Sequence, residues 1–220
     1  MHARELNRGA AFWLNDDMSG APTRTPDEAA ALFDEAVEDL AARRSALGEA
    51  GTFAVVAWTL LHAWEFEAAE LAWARVLELE PKSLEGAYQR GMCLLELSRF
   101  DEAADAFRHT IELDAQLRSD PNAEVLDWIE DDPNYRLGNC HHAKGDLDDA
   151  IAAYEESAQR NTVAVDALRE IVRCHLARNE PTPALAALER LDRRVVRPAT
   201  RAQVLALRAD AERMLRAEAQ

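Results

Sequence analysis

Two short runs, Cys140-His141-His142 and Cys174-His175, hold the residue types that ligate zinc. Neighbouring residues on a helix project about 100° apart, so a helical run of this kind does not turn all its side chains onto one ion. The 220 residues contain no Gly-rich phosphate loop, no His-Glu-x-x-His pair and no Gly-x-Ser-x-Gly elbow. Carboxylates such as Glu28, Asp34, Glu35 and Glu38 fall mostly at solvent-facing helix positions, where a charge run is a hydrated surface. The residues therefore predict no catalytic centre, no metal and no cofactor.

Composition narrows the class further. An apolar content of 48% is enough to bury a core. No apolar run approaches the roughly 20 residues of a membrane-spanning helix, and MHARELNRGAAFWLNDD lacks an apolar stretch followed by a small-residue cleavage site. The expected location is cytoplasmic, without membrane insertion. Cys93, Cys140 and Cys174 are odd in number and widely spaced, which predicts reduced thiols. Two lysines against 23 arginines, with abundant alanine, suggest a bacterial source. A net charge of −16 argues against nucleic acid as a partner, because neutralising phosphates needs a basic face. The charge is uneven: residues 1–159 hold 13 basic and 33 acidic side chains, and 160–220 hold 12 arginines and 8 acids. A basic end on an acidic body could receive an acidic segment or the acidic end of another copy.

The elements that must position these side chains are helices. Residues 1–25 have no periodic pattern, although Phe12, Trp13 and Leu14 cluster there as a segment that docks on the helices or occupies their groove. Thr25-Pro26-Asp27-Glu28 opens a helix, with Thr as N-cap and acids in the first turn, and Ala29, Leu32, Phe33, Ala36, Val37, Leu40 and Ala41 give it an apolar face. The spacing predicts a helix from Pro26 to Ala46 within an N-terminal element of 26–49. From Ala50 the pattern repeats every 34 residues, in units 50–83, 84–117, 131–164 and 165–198. An acidic insertion covers 118–130 and runs on into Asp131 and Asp132; its Val125, Leu126, Trp128 and Ile129 could form a helical turn. The eighth place of each unit is Ala57, Gly91, Gly138 or Val172; the twentieth is Ala69, Ala103, Ala150 or Ala184; the twenty-fourth is Trp73, Phe107, Tyr154 or Leu188. After Pro198, residues 199–220 read as a capping helix with Val204, Leu205, Leu207, Ala211, Met214 and Leu215 on its buried side and Arg201, Arg208, Arg213 and Arg216 in water.

Period, small eighth place, alanine at the twentieth and a large twenty-fourth resemble the tetratricopeptide repeat family. The proline that ends the second helix in that family is present as Pro81 but replaced by Ala115, Thr162 and Val196, and the last unit, with Val172, Pro181 and Pro183, is the least typical. The resemblance implies an all-α, right-handed α-solenoid of about four helix pairs. It also places Cys93, Cys140 and Cys174 at a small buried tenth place, and His141 and His175 at an eleventh place usually held by a buried aromatic.

In this family the concave groove is lined by the first helix of each unit. That pattern nominates Trp58 and His62 in the first unit, Tyr88, Gln89, Met92 and Glu96 in the second, Tyr135, Arg136, Asn139 and His142 in the third, and Arg169 and Arg173 in the fourth. An aromatic, Met-containing half is followed by an arginine-bearing half, suited to a peptide or protein segment whose carboxylate or acidic residue meets Arg136, Arg169 and Arg173. Tyr88 and Tyr135 could equally pack, and Arg169 and Arg173 could pair with Asp166 and Glu170. Some relatives clamp chaperone C-termini with Lys and Asn where this chain has Ala54 and Trp58, so that clamp is not expected here. The expected function is a non-enzymatic scaffold or adaptor; the alternatives are a type III secretion-type chaperone and a self-assembling scaffold.

Overall fold

Thr25 begins the first helix with a reciprocal capping box. Its backbone N–H donates to Glu28 Oε2 at 2.8 Å and the Glu28 N–H donates back to Thr25 Oγ1 at 3.3 Å. The computed structural model describes residues 24–41, 48–119, 132–159, 164–194 and 198–218. Expectations for Phe12, Trp13 and Leu14, for residues 42–46, and for nearly all of the acidic insertion with Trp128 lie outside the described residues.

Among the described residues every regular element is a helix: α1 (Pro26–Ala41), α2 (Glu49–His62), α3 (Phe66–Leu79), α4 (Leu84–Glu96), α5 (Phe100–Ser119), α6 (Pro133–Lys144), α7 (Leu147–Ala158), α8 (Ala164–Ala177), α9 (Pro181–Asp192) and α10 (Pro198–Glu218). The chain divides into two compact units, Met1–Glu130 and Asp131–Gln220. In the first, α2 pairs with α3 and α4 with α5, while α1 packs on α3 and α2; in the second, α6 pairs with α7 and α8 with α9, and α10 packs on α9 and α8.

All four pairs turn in the same way. The fifteenth place of each repeat, Trp64, Ser98, Gly145 or Asn179, takes a positive φ of 64°, 58°, 84° or 59°. The next residue donates its N–H to the carbonyl five back, Glu65 to Leu60, Arg99 to Leu94, Asp146 to His141 and Glu180 to His175, at 2.9–3.0 Å. This is the Schellman closure of a helix C-terminus, and it directs each second helix back along the first. Pro181 is the first residue of α9, where its missing N–H costs no hydrogen bond.

The cores follow the repeat. Ala69, Ala103, Ala150 and Ala184 are wholly buried where paired helices meet, and Trp73, Phe107, Tyr154 and Leu188 are buried behind them. Cys93, Cys140 and Cys174 are free thiols with no exposed surface, as the tenth place implied. The C-terminal helix departs from expectation. Val204 and Ala211 are buried, but Leu205 is 60% exposed and Leu215 40%. Only the stripe of α10 that meets α8 and α9 is covered, and these two leucines lie off it.

Candidate functional site

The first helices of the pairs carry every nominated groove residue, and they form a separate face in each unit. In the first unit, Ser83 caps α4 by accepting the Gly86 N–H at 3.1 Å. Glu85, in the first turn of α4, reaches α2. The Trp58 indole Nε1–H donates to Glu85 Oε1 at 3.0 Å, and His62 Nδ1 donates to the Trp58 carbonyl oxygen at 2.6 Å. Trp58 also stands edge-on to Trp73, with ring centroids 5.8 Å apart. A pocket of about 400 Å³ opens over these groups, lined by Ala54, Val55, Trp58, Thr59, His62 and Glu85. Burial raises the Glu85 carboxyl above its ordinary range, and the indole bond offsets this in part.

Trp58 and His62 thus lie together on α2, with Glu85 completing the wall. Glu85 is 27 residues from Trp58, a separation at which only the packing of successive repeats reveals a neighbour. The second-repeat residues are less available to a partner. Tyr88 is buried edge-on to Phe107 at 5.8 Å, and Gln89 is buried as well. Met92 is half-buried and Glu96 exposed.

In the second unit, Asp132 caps α6 by accepting the Asn134 N–H at 2.9 Å, with Pro133 at the first helical position. This sets Tyr135, Asn139 and His142 around Tyr154 of α7. The Tyr154 hydroxyl donates to Asn139 Oδ1 at 2.8 Å, and the Tyr135 and His142 rings lie 5.5 and 6.5 Å from its ring. Arg136 is buried with its guanidinium 5.8 Å from the Tyr135 ring centroid. Arg169 pairs with Asp166 at 2.9 Å, and Arg173 donates to Glu170 Oε1 at 2.8 Å. Both pairs were foreseen as alternatives to a partner's carboxylate. Arg173 keeps half of its side chain in solvent, and one carboxylate oxygen uses few of its five donors.

Two further groupings were not foreseen. His141, Asp146 and Asp149 bring one ligand atom each within 4.8 Å of one another. Lys144 Nζ already lies 3.0 Å from Asp146 Oδ2, and both acids are exposed, so this is a surface charge cluster. Arg190, Arg193 and Arg194 line a cleft of about 260 Å³. Arg190 makes a two-pronged bridge to Glu155 there at 2.6 and 2.7 Å.

Repeated pairs of antiparallel helices, each closed by the same turn, define a class of helical repeat scaffold. Tetratricopeptide repeat models match residues 57–118 and 131–211, and the chain belongs to the tetratricopeptide repeat family. Its fold supports a protein–protein interaction scaffold, and members of the family are typically non-catalytic. Among solved structures, MamA protein is similar with a TM-score of 0.56 over 76% of this chain and 88% of that chain, at 17% identity. A MamA fragment from Desulfovibrio magneticus RS-1 is similar with a TM-score of 0.55 over 76% and 95%, at 13% identity. At such identities the likeness is one of fold. No curated protein matches the sequence. No described helix is long and apolar enough to cross a membrane.

Proposed function

We propose that the chain binds an extended or helical segment of a partner protein on the first-helix faces of its repeats, as a scaffold without catalytic activity. The observation that carries this reading is the open pocket between α2 and α4, of a size ordinary for ligand clefts and built from the side chains at groove positions. The second unit offers a more polar face, where Asn139, His142, Arg169 and Arg173 suit a partner's carboxylate or amide groups.

Selection from a random peptide display library on the full chain tests this directly. Peptides that bind are measured again on His62→Glu and Arg173→Glu, both exposed positions whose replacement spares the core. At least one variant should lose the selected peptides while its circular dichroism is unchanged. Undiminished binding of every peptide to both variants would place the partner surface elsewhere.

A further inference from the structure

The buried acids of the first unit share one habit. Glu65 is held by Arg24 through bonds of 2.7 and 2.5 Å, Glu70 by Arg90 at 2.7 Å and Arg99 at 3.7 Å, and Asp114 by Arg118 at 2.9 Å. Removing a carboxylate from water is costly unless a cation compensates it, so each has an arginine. Glu85, half-buried, departs from the habit. Its described partner is the neutral Trp58 indole, and no lysine or arginine among the described residues pairs with it. Its carboxylate nevertheless sits at the wall of a pocket whose other lining is Ala54, Val55, Trp58, Thr59 and His62.

We propose that this pocket takes a basic side chain of the partner segment, an arginine or lysine, whose apolar stem lies on Ala54, Val55 and Trp58 and whose cation meets the Glu85 carboxylate. Long basic side chains suit such a site because they bury a hydrocarbon stem and keep a charged tip. Residues 1–130 hold 11 basic and 26 acidic side chains, net −15, so the unit's field also draws cations. In residues 131–220 the counts are 14 and 15, and the acidity of the chain is almost wholly that of its first unit. The inference rests on the partner-binding reading above and adds the chemistry of one contact, a basic side chain.

The minimal probe is N-acetyl-arginine amide, with N-acetyl-norleucine amide as the uncharged stem, titrated into the 15N-labelled full chain. The Trp58 indole N–H resonance, assigned with Trp58→Phe, reports the site. Saturable shifts are expected with the arginine probe, about tenfold weaker or absent with norleucine, and lost in Glu85→Gln, which keeps an acceptor for the indole. Equal shifts with both probes, shifts that survive Glu85→Gln, or no saturable shift at all would overturn the proposal. The display experiment separates it from the broader reading. Enrichment of Arg or Lys at one peptide position on the wild type but not on Glu85→Gln supports it. Peptides without that enrichment that still depend on His62 or Arg173 overturn it and leave the partner-binding reading standing; failure to select any peptide removes both.

Discussion

In the third repeat the Tyr154 ring lies on the backbone of Gly138: a Cβ built there would stand 2.5 Å from Tyr154 Cδ1 and Cε1. Gly91 meets Phe107 in the same way, at 2.8 Å. The eighth and twenty-fourth places are thus one packing unit, and what one may be depends on the other. Val172, which departs from the small-residue pattern, has the aliphatic Leu188 at the twenty-fourth place of its own repeat, and both are fully buried in one core. The fourth repeat thus pairs a branched aliphatic with an aliphatic where the second and third pair glycine with a ring.

Two effects oppose each other in Gly138→Ala. Alanine gains about 1 kcal/mol over glycine in a helix interior, whereas overpacking a closed core costs about 1–3 kcal/mol. At 2.5 Å from a fully buried ring the clash should win, with a net loss of about 1–2 kcal/mol in urea denaturation. The loss should shrink in the Tyr154→Leu background, which imitates the fourth repeat, and the double-mutant cycle measures that coupling. A Gly138→Ala protein as stable as the wild type would show that the ring moves freely.

The common turn carries the next expectation. Ser98 adopts a left-handed conformation that glycine enters without the side-chain penalty of about 1–2 kcal/mol. Ser98→Gly should therefore raise stability by roughly 0.5–1 kcal/mol, and Gly145→Ala should lower it by about 1 kcal/mol. Thermal melts of the two variants shifting in the same direction would contradict the Schellman geometry.

The free protein should be more stable without the charge of Glu85. Burial raises this carboxyl above its ordinary value of 4.5, so the folded state binds the proton more tightly than the unfolded chain does. Native stability from this group is then highest at low pH and falls as pH rises through the folded-state value. Glu85→Gln should raise the urea midpoint at pH 7, and the gain should fade as pH drops below the ordinary carboxylate range. A gain of equal size at pH 3 and pH 7 would point to a change in packing. Glu65 has the opposite sign, because bonding to Arg24 holds its carboxyl below the usual range and its contribution is lost on acidification.

Three thiols should be silent toward Ellman's reagent at pH 8 in the native protein and react together on unfolding. Burial and the nearby acids Glu70 and Glu96 push the Cys93 thiol well up, and burial brings Cys174 to about 11. Both reach and ionisation are thus denied to the reagent. Native reaction of any one of the three at the rate of a free thiol would contradict its tight packing.

The 34-residue register, the four twentieth-place alanines, the buried cysteines and the Thr25 N-cap were legible in the sequence because each depends on residues within one repeat or one helical turn. The shared turn could have been found from Gly145 and Asn179 at the same place, but Trp64 and Ser98 mask the signal, since neither residue advertises a positive φ. Periodicity also said that α10 is amphipathic without saying how wide its covered stripe is; the contact with α8 and α9 decided that, and left Leu205 in water. The approach of Glu85 to Trp58 and the burial of Arg136 belong to tertiary structure alone, whereas Tyr88 packing and the Arg173–Glu170 pair, three residues apart on α8, stood in the sequence as one of two alternatives. A repeat pattern assigns a side chain to a face of its own helix, but which neighbour it meets, and whether its charge is already answered, depends on the rotation and spacing of packed helices, and these are set by the summed volumes at places such as Gly138 and Tyr154.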